Sequence, residues 1–172
     1  SIPLGSEIFG NIYPGKEHRV IVMLQGPRLS ADVCDTDPGG SAAIMTPITA
    51  APTKESPEAQ RTADALNRLI MIVGNHLAKH PVNTTRLKKG LPPANTIITR
   101  GAGPVAQIAE QRYEDSPFAM VSGCTTSLGL ARVYGYLPVT TSKMTGNLDT
   151  DIDHKIDTAS TLFKNHSLLA IH

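Results

Sequence analysis

SPEAQRTADALNRLIMIVGNHL, residues 56 to 77, decides how the rest of the chain is read. Ala59, Ala63, Leu66, Ile70, Val73 and Leu77 recur at steps of three and four, the spacing that lines side chains along one stripe of an α-helix. Ser56 and Pro57 supply the start: a serine side chain can accept from an N–H of the first turn, and proline lacks only a donor that has no partner there. Asp64 and Arg68 stand four apart in the order that favours an ion pair. A second helical pattern follows Gly146, with Ile152, Ile156, Ala159 and Phe163 on one stripe and aspartates near its positive end. Shorter helices are expected at Val105 to Tyr113 and at about Thr126 to Tyr134.

Around these helices lie short, β-branched runs at Ile8 to Tyr13, Val20 to Leu24, Thr96 to Thr99, Phe118 to Ser122, Leu137 to Thr140 and Ser167 to Ile171, which read as buried strands. Strands alternating with helices imply an α/β fold with a mixed, mainly parallel sheet flanked by helices, and YPGKEH (13–18) reads as an antiparallel hairpin. Gln25 to Ser56 has no periodic face and contains Gly39-Gly40 and several prolines, so it is expected to be a long ordered loop. At 172 residues, a single α/β domain over 1–172 is expected.

Charge narrows the function. With 16 basic and 15 acidic side chains, net +1 and no charge runs, the chain has no broad field for nucleic acid or a membrane surface, so any basic site must be local. No apolar window is long enough to span a bilayer and no leader pattern opens the chain, which points to the cytoplasm. Cys34 and Cys124, far apart and outside any CxxC, suit reduced thiols rather than a disulfide or zinc site.

Three places could carry chemistry. Arg100-Gly-Ala-Gly103 follows an expected strand and opens an expected helix. Its glycines Gly101 and Gly103 allow backbone N–H groups to approach a ligand, and the arginine fork can grip a carboxylate or phosphate; a tight turn with a solvated arginine is the plainer reading. Asn83 and Arg86, three apart, share a face of one helical turn, or else form a cap and a surface cation. DVCDTDPGG (32–40) packs three carboxylates into six residues, readable as oxygen ligands for a metal, as acceptors for substrate hydroxyls or a proton, or as an Asx turn before Pro38. Its offsets fail the calcium-loop pattern, and no metal site is assigned within the chain. His18-Arg19 at a strand start adds a further possible cation.

Taken together, HRVIVMLQG (18–26), LSADVCDTDP (29–38), ADALNRL (63–69), HPVNTTRLKKGLPPANTIITRGAG (80–103), LGLARVYGY (128–136) and TGNLDTDIDHK (145–155) resemble one family. It is the archaeal-type 2,3-bisphosphoglycerate-independent phosphoglycerate mutases, metalloenzymes of the alkaline phosphatase superfamily. The resemblance runs from about Tyr13 to the end. It implies interconversion of 3-phosphoglycerate and 2-phosphoglycerate through a phosphoserine, in glycolysis and gluconeogenesis. In that family a phosphatase-like core carries two divalent metal ions of Mn, Zn or Mg type and a nucleophilic serine, while an inserted α/β domain closes over substrate.

The chain matches the insert and not the core, so the resemblance implies a fragment, inert alone, of a larger two-domain metalloenzyme. Its partners would be phosphoglycerate and the core of the same protein. Arg86 and Arg100, then Arg19, would grip carboxylate or phosphate; Asp35 and Asp37 would bond the glycerate hydroxyls or move their proton; Asn83 and Asn95 would orient substrate or support loops. The family pattern has a basic residue where this chain has Gln25, histidine for Gly39 and lysine for Leu128. Alternatives are an autonomous anion-binding regulatory domain, or a related metalloenzyme of the superfamily with another phosphorylated substrate.

Overall fold

The computed structural model describes residues 1–39, 48–105 and 115–172. The chain divides into two compact units, Ser1–Val105 and Ala106–His172. The first opens with three strands, β1 (Ile2–Gly5), β2 (Ile8–Pro14) and β3 (Val20–Gln25), in an antiparallel sheet of order β1-β2-β3. The expected hairpin is the β2–β3 pair, with Tyr13 opposite Ile21. β1 lies in a segment that the periodicity did not mark as a strand.

Helix α1 (Pro57–Ala78) begins as expected: the Ser56 hydroxyl accepts from Ala59 N–H at 3.0 Å. Its buried Ala65 and Leu69 pack against Leu4 and Ile8 of the sheet. Gly10 is the contact point on β2, since a Cβ there would lie 3.0 Å from Leu69 Cδ1. Ala63 and Leu66 bury Val33 and Ala50 from the long loop. The long loop is thus ordered by packing, at least over its described residues. Asp64 and Arg68 do not pair; Asp64 accepts from Gln60 Nε2 at 2.8 Å and Arg68 donates to Leu4 O at 2.9 Å. The sheet register shifts between Pro3 and Gly5, where Leu4 O takes the guanidinium in place of the exposed Asp64 carboxylate. Helix α2 (Pro81–Lys88) follows at once.

The second unit holds β4 (Phe118–Val121), α3 (Thr125–Val133), β5 (Leu137–Val139), α4 (Ile152–Leu162) and β6 (Leu168–Ile171). Its strands form a parallel sheet of order β5-β4-β6, because each connection is a helical crossover. Val121, Met144 and Ala159 make its buried centre. Asp151 caps α4 through His154 N–H at 2.8 Å. Of the expected α4 stripe only Ala159 is buried; Ile152 and Ile156 are 62% and 52% exposed.

The architecture is α/β, but among the described residues there are two three-stranded sheets, one antiparallel and one parallel, instead of one mixed, mainly parallel sheet. The difference has a local cause: tight turns join the first three strands and helices the last three. Thr96–Thr99 forms no strand: among the described residues its backbone hydrogen bonds outside the segment go to the single residue Thr36. The helix expected over 105–113 falls, beyond Val105, outside the described residues. Among the described residues no helix is long and apolar enough to cross a membrane.

Candidate functional site

The DVCDTD segment is held from two sides. Cys34 N–H donates to Ala51 O and Thr53 N–H to Asp32 O, both at 2.9 Å, around a bridge between Val33 and Pro52. On the other side Thr36 N–H donates to Thr99 O at 2.8 Å, Thr99 N–H donates back to Thr36 Oγ1 at 2.8 Å, and the two hydroxyls lie 3.1 Å apart. Thr36 is fully buried, so this pairing is not exchanged for water.

The lock at Thr36 sets the neighbouring carboxylates against the Arg100-Gly101 turn. Asp35 Oδ1 accepts from Gly101 N–H at 2.9 Å, and Asp37 Oδ2 faces Arg100 at 3.5 Å. Asp37 Oδ1 also accepts from Gly39 N–H at 3.0 Å, which is the Asx turn across Pro38. Asp37 therefore has both oxygens engaged, whereas Asp35 Oδ2 has no hydrogen bond among the described residues. Gly101 adopts φ +69°, a conformation that strains other residues, and among the described residues a Cβ at Gly101 or Gly103 would meet nothing within 4 Å. The Arg100 side chain is 78% exposed.

Asp32 leaves this group. It pairs with Lys54 at 2.8 Å and accepts from Ser30 Oγ at 3.0 Å; these two partners, Lys54 first, hold its carboxyl below the usual range.

Asn83 and Arg86 build a second clasp. Asn83, 3% exposed, donates from Nδ2 to Leu77 O (2.7 Å) and Ala94 O (2.9 Å), and its Oδ1 accepts from Ala94 N–H at 2.8 Å. Arg86 Nε donates to Pro92 O at 2.8 Å. Both side chains therefore strap the 91–95 segment to α2. Gly74 admits that segment to α1: a Cβ there would come 3.1 Å from Asn95 O. Asn83 has a supporting role, whereas Arg86 keeps its two terminal nitrogens for other acceptors.

The structure joins Asp35, Asp37, Arg100 and Gly101 directly. Arg19 lies in the β2–β3 turn, and among the described residues no hydrogen bond or ion pair links it to either clasp. The Asn95 side chain likewise makes no hydrogen bond among the described residues. Sequence reasoning missed the Thr36–Thr99 lock and two supports from α1: Thr62 Oγ1 accepts from Ser30 N–H at 2.9 Å, and Asn67 bonds Ala50 N–H and O at 2.8 and 2.9 Å. A signal existed, since Thr62 and Asn67 interrupt an apolar stretch and a polar group there needs a backbone partner. Among the described residues no group of three or more His, Cys, Asp or Glu side chains could hold a metal ion.

One thiol in the second unit is perturbed. Cys124 precedes α3 without closing a capping hydrogen bond, yet the backbone N–H of Ser127, then its side chain and the N–H of Thr126, draw the thiol from 9.0 down to about 7. A lowered acid value favours the thiolate, so the associated stabilisation is present above the ordinary thiol range and lost as pH falls through about 7. Alkylation of Cys124 by iodoacetamide, followed by peptide mass spectrometry, should rise through a midpoint near pH 7. A midpoint in the ordinary thiol range would contradict the helix-terminus effect.

Comparison with known proteins places these features in context. The profile of the 2,3-bisphosphoglycerate-independent phosphoglycerate mutase family matches residues 4–83. The mutase of that name from Ignicoccus hospitalis is 36% identical over 174 residues, covering 97% of this chain and 41% of its own length. The one from Methanopyrus kandleri is 35% identical over 157 residues, covering 90% and 36%. The solved cofactor-independent phosphoglycerate mutase from Thermoplasma acidophilum aligns with a TM-score of 0.59 at 27% identity, over 97% of this chain and 44% of that one. The chain spans about two fifths of the length of the curated relatives it matches.

Proposed function

We propose that this chain, which is similar to a partial length of the 2,3-bisphosphoglycerate-independent phosphoglycerate mutases, serves as the substrate-closing part of such an enzyme. In the intact cytoplasmic protein it closes over phosphoglycerate bound to a phosphatase-like core, its two compact units acting as one inserted domain. The enzyme interconverts 3-phosphoglycerate and 2-phosphoglycerate through a phosphoserine. The two divalent metal ions that the resemblance implies would be held by the phosphatase-like core.

The observation that carries the reading is the clasp of Asp35 and Asp37 on the Arg100-Gly101 turn, which presents an exposed guanidinium beside a glycine backbone. Arg100 grips carboxylate or phosphate, and Arg86, steadied at Nε, adds a second fork; Arg19 is third in rank. Asp35 accepts from a glycerate hydroxyl or takes its proton through its remaining oxygen, while Asp37 aims Arg100. Gly101 and Gly103 admit the anion to the backbone, and Asn83 and Asn95 support the loop. Closure must exclude water, because a phosphoserine exposed to it would be hydrolysed.

The test is turnover by the full-length protein. With 3-phosphoglycerate and a divalent metal, and without 2,3-bisphosphoglycerate, phosphorus NMR should reveal 2-phosphoglycerate, whereas the 172-residue chain alone should give none and bind substrate weakly. Absence of turnover by the full-length protein would refute the reading. Micromolar binding of a phosphorylated metabolite by the chain alone would favour the regulatory alternative.

A further inference from the structure

The first unit contains a cavity of about 400 Å³ between α1 and the β1–β2 turn, lined by Gly5, Ser6, Gln60, Arg61, Asp64 and Arg68 among others. Pro57, Arg61, Asp64 and Arg68 recur at steps of three and four, so they share one face of α1. Thr62 and Asn67, which hold Ser30 and Ala50, lie off that face, on its two flanks. The cavity is therefore distinct in position on α1 from the supports of the Asp35–Arg100 clasp.

Two guanidiniums are fixed at its wall. Arg68 donates to Leu4 O at 2.9 Å and lies so close over Gly5 that a Cβ there would fall 2.6 Å from Nη1. Arg61 donates from Nη2 to Ser6 O, and its Nε–H is buried with no partner among the described residues. A guanidinium carries five N–H donors, so each arginine retains several after anchoring to the turn. Neither forms an ion pair among the described residues, and the one carboxylate in the lining, Asp64, is engaged by Gln60. The turn itself holds Gly5, Ser6 and Glu7 at φ +82°, +53° and +61°; two non-glycine residues in that region are strained, and strain of this kind gathers at ligand clamps.

We propose that this cavity is a second binding site, for a small oxyanion presented by a phosphorylated or carboxylated metabolite, with Arg61 and Arg68 as its forks. The ligand neutralises two like charges held two helical turns apart and ties the β1–β2 turn to α1. Ser6 Oγ and Gln60 lie in the lining to bond a further oxygen. The anchored guanidiniums are preorganised, which lowers the ordering cost of binding. The volume admits a ligand well beyond a bare phosphate.

Proton–nitrogen NMR of the arginine Nε–H groups in the chain, titrated with inorganic phosphate or acetate against chloride at equal ionic strength, tests the site. The Arg61 and Arg68 signals should move saturably with phosphate or acetate, and the tighter of the two identifies phosphoryl or carboxylate as the preferred group. Arg61→Met should weaken binding roughly tenfold or more. Arg68→Lys, which keeps the charge and loses the fork, should weaken it several-fold, with backbone amide changes confined to the β1–β2 turn and the adjoining stretch of α1. Arg100→Met should leave this titration unchanged, which separates the site from the proposed substrate clasp. Unsaturable shifts, equal shifts with chloride, or loss of the titration in Arg100→Met would each overturn the proposal.

Discussion

Arg100→Met in the full-length protein is expected to lower mutase kcat/KM by about 100- to 1000-fold, the effect of removing one partner from a desolvated charge pair. The expected stability change is small. Arg100 is 78% exposed on its side chain and its 3.5 Å contact with Asp37 is a surface ion pair, a class worth at most about 1 kcal/mol. The variant should therefore keep its thermal midpoint while losing activity, a combination that a structural arginine would not produce. Arg100→Lys should recover little, since a point charge cannot reproduce a bidentate grip. Activity within about threefold of the parent would remove Arg100 from the site. The comparison with Asp37 is informative in the same assay. Asp37 aims the guanidinium without consuming it, so Asp37→Asn should cost less than Arg100→Met.

Asn83→Ala is expected to destabilise the chain by about 3 kcal/mol in urea unfolding. Three hydrogen bonds converge on that 3% exposed side chain, and its removal leaves Ala94 O and Ala94 N–H unpartnered among the described residues and leaves Leu77 O only its bond from His80 N–H. Asn83→Asp separates the contributions. It keeps an acceptor for Ala94 N–H and loses both donors, so most of the loss should persist. A change below about 1 kcal/mol in both variants would mean that the 91–95 segment is held by other contacts. In the intact enzyme the same substitution should reduce activity indirectly, by loosening the segment between Arg86 and Arg100. The two variants thus fail differently: one loses chemistry at constant stability, the other loses stability first.

Much of the fold was legible because its signals are local. The stripe of α1 and its Ser56 cap, the β2–β3 hairpin and the helix from Thr125 each depend on residues within a turn or two of one another. The strand at Ile2–Gly5 was missed because it is short and ends in a turn without the usual Asn-Gly signal. Thr96–Thr99 was over-read because β propensity describes a surface awaiting a partner, and among the described residues the partner is Thr36 alone. For α4 the stripe was identified, but Ile152 and Ile156 remain exposed while Ala159 is buried. Periodicity states which side chains share a face; it does not state which face finds a neighbour.

From its residues alone the chain determined helix starts, the hairpin, the local character of its charge and a family resemblance carried by several motifs at once. Only the tertiary structure decided that Asp35 bonds the Gly101 amide across 66 positions of sequence, that Asp32 departs to Lys54, and that Arg61 and Arg68 wall a separate cavity. The division follows from the range of the forces. Helical and turn preferences act between neighbours along the chain, whereas the partner of a guanidinium or a carboxylate is whichever group packing brings within hydrogen-bond reach.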